Sequence, residues 1–194
     1  MASQHGCNVT GIDLTPEYCE VASLLAAKVG LGDRVSYHQG SALATPFTDG
    51  SFDGAYMIHV GMNIADKAKL FREVHRVLAP EATFGIYDIL RGPSGGHLEF
   101  PVPWATTAEA SFLASMEELR DTLGEAGFEV ETTTDRTEFA KEFFARLRKQ
   151  AGESPSPVGL HLVMGEDFPT KAANMARNVN EGRCAPWEVV CRRR

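Results

Sequence analysis

Asp13 closes a β-type run, Val9-Thr10-Gly11-Ile12, and is followed by Leu14-Thr15-Pro16, so strand, turn and helix come in that order. A carboxylate at the end of an inner strand offers paired acceptors to vicinal hydroxyls such as those of a ribose. The same carboxylate, two residues before Thr15 and Pro16, also suits a helix start, and both roles stay open. His59 ends a second β-type run, Phe52 to Ile58. Open α/β sheets bind ligands at the carboxyl ends of their strands, so an imidazole there could take a proton from a reacting group or only line a pocket. Tyr87, Asp88 and Arg91 end a third run and could orient a polar substrate, or form an exposed strand-end turn. Trp104 could cap an apolar or cationic molecule with its ring face, or anchor its own loop. His38, His75, His97 and His161 share no metal-ligand spacing with one another or with the cysteines, so no metal site is expected.

These residues need a frame, and the hydrophobic pattern supplies one. Short β-type runs alternate with helical patterns, the sign of an α/β fold with a parallel sheet covered on both faces. Val21, Leu24, Leu25 and Ala27 mark a helix over Glu17 to Val29, stopped by Gly30 and Gly32. Leu70, Phe71, Val74, Val77 and Leu78 mark a second over Asp66 to Leu78, which Pro80 is expected to end. Further strands are expected at Val35 to His38, Thr83 to Tyr87, Phe128 to Val130 and Trp187 to Cys191, with a helix over Met116 to Ala126. Two stretches break the rhythm. Arg91 to Ala110 holds Pro93, Gly95, Gly96, Pro101 and Pro103 around Phe100 and Trp104, and a loop of that length in a compact domain usually serves as a lid or binding segment. Residues 136–182 read as a helical insertion before the last strand, with a break at Pro155 and Pro157 and a stripe of Phe139, Phe143, Phe144 and Leu147 expected to pack in the core.

The bulk composition bounds the function. A chain of 194 residues with 43% hydrophobic and 23% charged content fits one globular domain over 1–194. No apolar run approaches the ~18 residues of a membrane span, and the first residues carry no export signal, so the cytoplasm is the expected compartment. The net charge of −7 speaks against nucleic acid as the main partner. Cys7, Cys19, Cys184 and Cys191 are far apart and read as reduced thiols, and Arg192-Arg193-Arg194 reads as a solvated tail.

The order Gly11-Ile12-Asp13, Val35 to Ala42 with Pro46-Phe47, Ser51-Phe52-Asp53, Leu70 to Val74 with Leu78-Ala79-Pro80, and Phe84 to Asp88 resembles the class I S-adenosylmethionine-dependent methyltransferases, closest to the branch acting on small molecules. The resemblance implies a Rossmann-like, doubly wound sheet, S-adenosylmethionine as cofactor and a small-molecule methyl acceptor. It places Asp13 on the ribose, Leu14 against the adenine, Ser41 and Ala42 at the adenine edge, and His59 and Val60 in the wall between cofactor and acceptor. Ser41 departs from the acidic residue usual there, and Pro80-Glu81-Ala82 from the usual glycine pair. The resemblance also implies a first strand and glycine-rich loop ahead of residue 1, so the fold is expected to be N-terminally truncated. Four or five missing buried side chains would cost roughly 6–15 kcal/mol. The edges at Val9 to Asp13 and Ala55 to Ile58 are then expected to be open, and to be covered by a donated strand or by a second copy in a homo-oligomer. Two other readings share part of this pattern: a nicotinamide-dependent oxidoreductase, which also uses an acidic residue after its second strand, and a catalytically inactive remnant acting by association.

Overall fold

In the computed structural model, residues 1–150, 159, 162 and 164–194 are described. The expected break at Pro155 and Pro157, and His161, lie outside them. A short helix α1 (Ala2–His5) precedes β1 (Val9–Asp13), α2 (Pro16–Lys28), β2 (Val35–Gln39), β3 (Phe52–Ile58), α3 (Lys67–Val77), β4 (Leu78–Arg91), α4 (Met116–Glu125), β5 (Phe128–Asp135), α5 (Thr137–Gln150), α6 (Phe168–Asn180) and β6 (Cys184–Arg193). The helix starts follow local chemistry. Asp66 accepts from the Lys69 amide at 2.9 Å at the head of α3, and Ser115 and Glu118 cap α4 reciprocally.

The strands form two sheets. β1 pairs with β2 in parallel, and β3, β4, β6 and β5 follow in that order, parallel between β3 and β4 and antiparallel on both sides of β6. No strand among the described residues bonds to the free edge of β1 or of β3. The main core lies between the four-stranded sheet and helices α3 and α4, around Leu70, Phe71, Phe84, Leu123 and Phe128. A second cluster, with Met62, Ile89, Met175 and Val179, lies under α5 and α6.

Several expectations are corrected here. Pro80 does not end α3; the helix stops at Val77, and Pro80 lies inside β4, where Leu78 already pairs with Phe52. Glu81 takes a left-handed φ of 63°, which accounts for the glycine expected beside it. β5 and β6 are longer than hydropathy suggests, because their ends are held by polar pairs. Arg192 meets Glu131 at 2.6 Å and Arg194 meets Glu129 at 3.0 Å, so the arginine triplet is the close of a strand and not a tail. Phe144 joins the second cluster, whereas Phe139 and Phe143 are exposed, so only part of the phenylalanine stripe is core.

With no direct pairing between β1 and β3, the segment after β2 joins the two sheets. Ala42, Leu43 and Phe52 pack against the main core. Glu73 on α3 accepts from the Thr45 amide at 2.6 Å and its hydroxyl at 2.7 Å. Arg76 one turn on donates to Glu73, to the Phe47 carbonyl at 2.8 Å and to Asp49 at 2.6 Å. The Arg76 guanidinium, with the Thr45 bonds, holds the Glu73 carboxyl at about 2 against the opposing pull of burial. Glu73→Ala is expected to cost roughly 2–4 kcal/mol in denaturant unfolding. Amide exchange should rise in β1 and β2 before β4; a uniform rise would contradict this role.

Candidate functional site

Asp13, at the last position of β1, is exposed and its Oδ1 accepts from the Thr15 amide at 2.8 Å. The helix-start role is therefore present, and the second carboxylate oxygen is left for a ligand. The Asp13 carbonyl accepts from Gly40 at 2.8 Å, which sets the Ser41–Ala42 turn beside it. Leu14 is 68% exposed, an apolar surface next to that turn. The Ser41 hydroxyl accepts from the Leu43 amide at 3.2 Å and so is partly spent within its own turn. Behind Asp13 lies a cavity of about 160 Å³ lined by Gly11, Ile12, Asp13, Tyr18, Cys19 and Tyr37 among others. Gly11 is needed there, since a Cβ would sit 2.6 Å from the Tyr37 ring.

His59 follows β3 directly, in a left-handed conformation with φ 54°. That is rare for a residue with a Cβ and persists only where the surroundings over-determine it. Its amide donates to the Tyr87 carbonyl at 2.8 Å, and its ring meets the Tyr87 ring edge-on with centroids 5.2 Å apart. Burial lowers the imidazole pKa, which keeps the ring neutral and able to accept a proton at pH 7. Burial raises the Tyr87 phenol pKa, beside the Arg136–Glu188 pair at 2.6 Å. Val60 lies at the same mouth and is exposed.

Three residues considered for the substrate side have structural partners instead. Asp88 is only 4% exposed; it shares the core face of β4 with Phe84, Ile86 and Leu90, and its carboxylate turns to backbone amides. Arg91 donates to the Leu113 carbonyl at 3.0 Å and pairs with Glu118 at 3.2 Å, so it ties the strand end to the start of α4. Trp104 donates to the Ser111 hydroxyl at 3.0 Å and packs with Met62, Leu98 and Leu113, which is the loop-anchor role.

The expected lid is fastened down by residues that sequence reasoning passed over. Asn178, fully buried on α6, accepts from the Glu99 amide at 2.9 Å and donates to the Glu99 carbonyl at 3.0 Å, as a neighbouring strand would. Asn174, one turn earlier, donates to the Pro101 carbonyl at 3.0 Å. The Glu99 carboxylate lies between Arg177 at 2.7 Å and Arg183 at 3.0 Å. Two asparagines four apart, flanked by buried Met175 and Val179, were the available signal.

An exposed carboxylate, a polar turn and an imidazole whose pKa burial lowers thus follow the carboxyl ends of β1, β2 and β3 respectively. Residues 1–86 match the family described as "Methyltransferase domain". O-methyltransferase resE of Aspergillus sclerotiorum is 29% identical over 163 residues, covering 84% of this chain and 62% of that protein. The 27-O-demethylrifamycin SV methyltransferase of Amycolatopsis mediterranei is 30% identical over 174 residues, covering 85% and 64%. Residues 1–86 thus match a methyltransferase domain, and the chain has the fold of the S-adenosylmethionine-dependent methyltransferases. It spans less than two thirds of the length of both relatives. The methyltransferase fold is shared with geranyl diphosphate C-methyltransferase from Streptomyces coelicolor A3(2), solved with S-adenosyl-L-homocysteine, at a TM-score of 0.79, 17% identity and coverage of 100% of this chain and 65% of that one. The domain match over residues 1–86 and the two methyltransferase relatives do not favour the nicotinamide reading.

An adenosine would meet here the Asp13 oxygen that has no partner among the described residues and the exposed Leu14 face. A pH dependence follows from Asp88. Burial pushes its carboxyl up to about 6, against the Ile89 amide, Lys67 and the Met62 and Gly61 amides. The native state therefore takes up a proton as pH falls through 6, before the unfolded chain does near 3.9. Stability gains from this group on acidification and loses it above pH 6. Between pH 8 and pH 5 the wild type should gain about 1–1.5 kcal/mol relative to Asp88→Asn in denaturant unfolding. Parallel pH curves for the two proteins would contradict the assignment.

Proposed function

We propose that this chain transfers a methyl group from S-adenosylmethionine to a hydroxyl of a small, largely apolar molecule. The observation that carries the reading is His59, held in a left-handed conformation directly after β3 with its pKa lowered by burial, while Asp13 and the Ser41–Ala42 turn follow β1 and β2. Asp13 would take the ribose hydroxyls, Leu14 would pack on the adenine, and the Ser41 hydroxyl with the Ala42 amide would meet the adenine edge. Val60 and His59 would wall the cofactor from the acceptor. The bound cofactor supplies an electrophilic methyl on a sulfonium. His59 would receive the acceptor's proton as its oxygen bonds to that carbon and the carbon–sulfur pair of electrons leaves with sulfur. The names of the two long-matching relatives, both methyltransferases and one an O-methyltransferase, support an oxygen acceptor.

Tyr87 and the strapped loop from Gly92 to Ala110, with α5 and α6 behind it, would line the acceptor side. The open edges of β1 and β3 lie beside the place for the methionine end of the cofactor, so covering them with a strand or a second copy should raise affinity. The exposed Tyr18, Val21, Leu25 and Val29 stripe on α2 is consistent with such a cover. The cytoplasm suits four unpaired thiols, three of them buried, with burial pushing Cys184 and Cys191 up to about 12.

Calorimetric titration with S-adenosylhomocysteine tests the cofactor half. Asp13→Ala should weaken binding by about 1.5–3 kcal/mol, the range for a hydrogen bond to a charged group; unchanged affinity would remove Asp13 from the site. No binding by the wild type would favour an inactive member acting by association. His59→Gln should lower kcat on a hydroxyl acceptor by about 10²–10⁴-fold with cofactor affinity kept, since that is the range for a general base. Equal turnover in the variant would leave His59 as lining only.

A further inference from the structure

The turn between β3 and α3, which carries His59, is bonded at nearly every backbone position. The Asp88 carboxylate lies against this turn, with its Oδ2 packed on Gly61, the Gly61 and Met62 amides favouring its charged form, and it accepts from the Ile89 amide of its own strand at 2.9 Å. The carbonyls of Gly61 and Ile64 accept from Lys67 Nζ at 3.0 and 2.9 Å. The third Lys67 proton goes to the Phe112 carbonyl at 2.6 Å, and the Phe112 amide returns a bond to the Met62 carbonyl at 2.9 Å. An ammonium has three donors, so Lys67 has none left for a ligand. Gly61 fits tightly, because a Cβ there would collide with the Asp88 Oδ2. A carboxylate and an ammonium are thus placed beneath one short turn, each spent on backbone and neither open to the crevice.

We propose that Asp88 and Lys67 are a positioning pair, which clamps the Gly61–Asn63 turn from both sides and so keeps His59 in its left-handed conformation with the ring at the crevice. The proposal rests on the reading of His59 as the proton acceptor, and concerns what sets its place. Burying an aspartate among apolar side chains costs the fold. A neutral hydrogen-bonding residue would pack there more cheaply, so the charge serves the turn. The charged groups around Asp88 are few. Lys67 faces it from α3, Glu118 on α4 acts on Lys67 and is paired with Arg91, and opposite on β6 stands the uncharged Trp187. Protonation of Asp88 therefore removes the negative charge that Gly61 and Met62 point at, and no neighbouring carboxylate replaces it.

Amide exchange read by NMR on the full chain tests this without knowledge of the acceptor. In the wild type, the protection factors of Gly61 and Met62, taken relative to Ile86, should fall at least tenfold as pH drops from 8 to 5. In Asp88→Asn they should be low and independent of pH, and the His59 ring resonances should shift while the other assigned histidines keep theirs. Lys67→Met should lose the same protection with a cooperative melt, and it replaces Asp88→Asn if that variant fails to fold. Unchanged Gly61 and Met62 protection in either folded variant would overturn the pair, as would a loss spread evenly over every strand. Turnover separates this from the function itself. If His59→Gln keeps full activity, the proton-acceptor role falls while the exchange result still judges the clamp.

Discussion

The coupling of the two sheets depends on the Glu73–Arg76 clamp. β1 and β2 carry the residues suited to an adenosine, β3 and β4 carry His59 and Tyr87, and no strand among the described residues hydrogen-bonds the two groups together. The polypeptide from Ser41 to Gly50 crosses between them, and α3 fixes it by two carboxylate bonds to Thr45 and three partners for one guanidinium. The carboxylate is largely buried and the guanidinium is bonded in a planar fork, which is the geometry in which such a pair is strongest.

The same logic repeats at the site. Asp88 and Lys67 fix the turn after β3, Asn174 and Asn178 fix the loop after β4, and Arg91 ties β4 to α4. Polar groups that could have served a ligand are instead spent on backbone. Among the described residues, one oxygen of Asp13, the His59 ring and the Tyr87 hydroxyl have no side-chain hydrogen-bond partner.

Patterns with a period were legible in the sequence. Leu70, Phe71, Val74 and Val77 located α3, Thr15-Pro16 located α2, and the ordered motifs located the methyltransferase fold. Lengths and directions set by polar contacts were not. β4 runs through Pro80 because Glu81 adopts a left-handed backbone, which no propensity scale expects of glutamate. The Arg192 to Arg194 run looked solvated because its partners, Glu129 and Glu131, lie some 60 residues away in the chain. Asp88 could have been placed by counting alternate residues from Phe84 and Ile86 along the strand, which puts it on the core face. The asparagine strap on the loop needed the tertiary structure, since nothing local in Asn178 points to Glu99.

The open edges of β1 and β3, and the apolar stripe on α2, are the main unmet demands of the fold, and the relatives it matches are longer than this chain. On the proposed reading, Asp13, Leu14, Ser41 and Ala42 would hold the adenosine half of the cofactor. Saturation-transfer NMR with S-adenosylhomocysteine reads that placement directly. The account predicts strong transfer to the adenine and ribose protons and weak transfer to the homocysteine protons, with the ribose signals reduced in Asp13→Ala. Transfer confined to the homocysteine protons, or ribose transfer indifferent to Asp13→Ala, would contradict it.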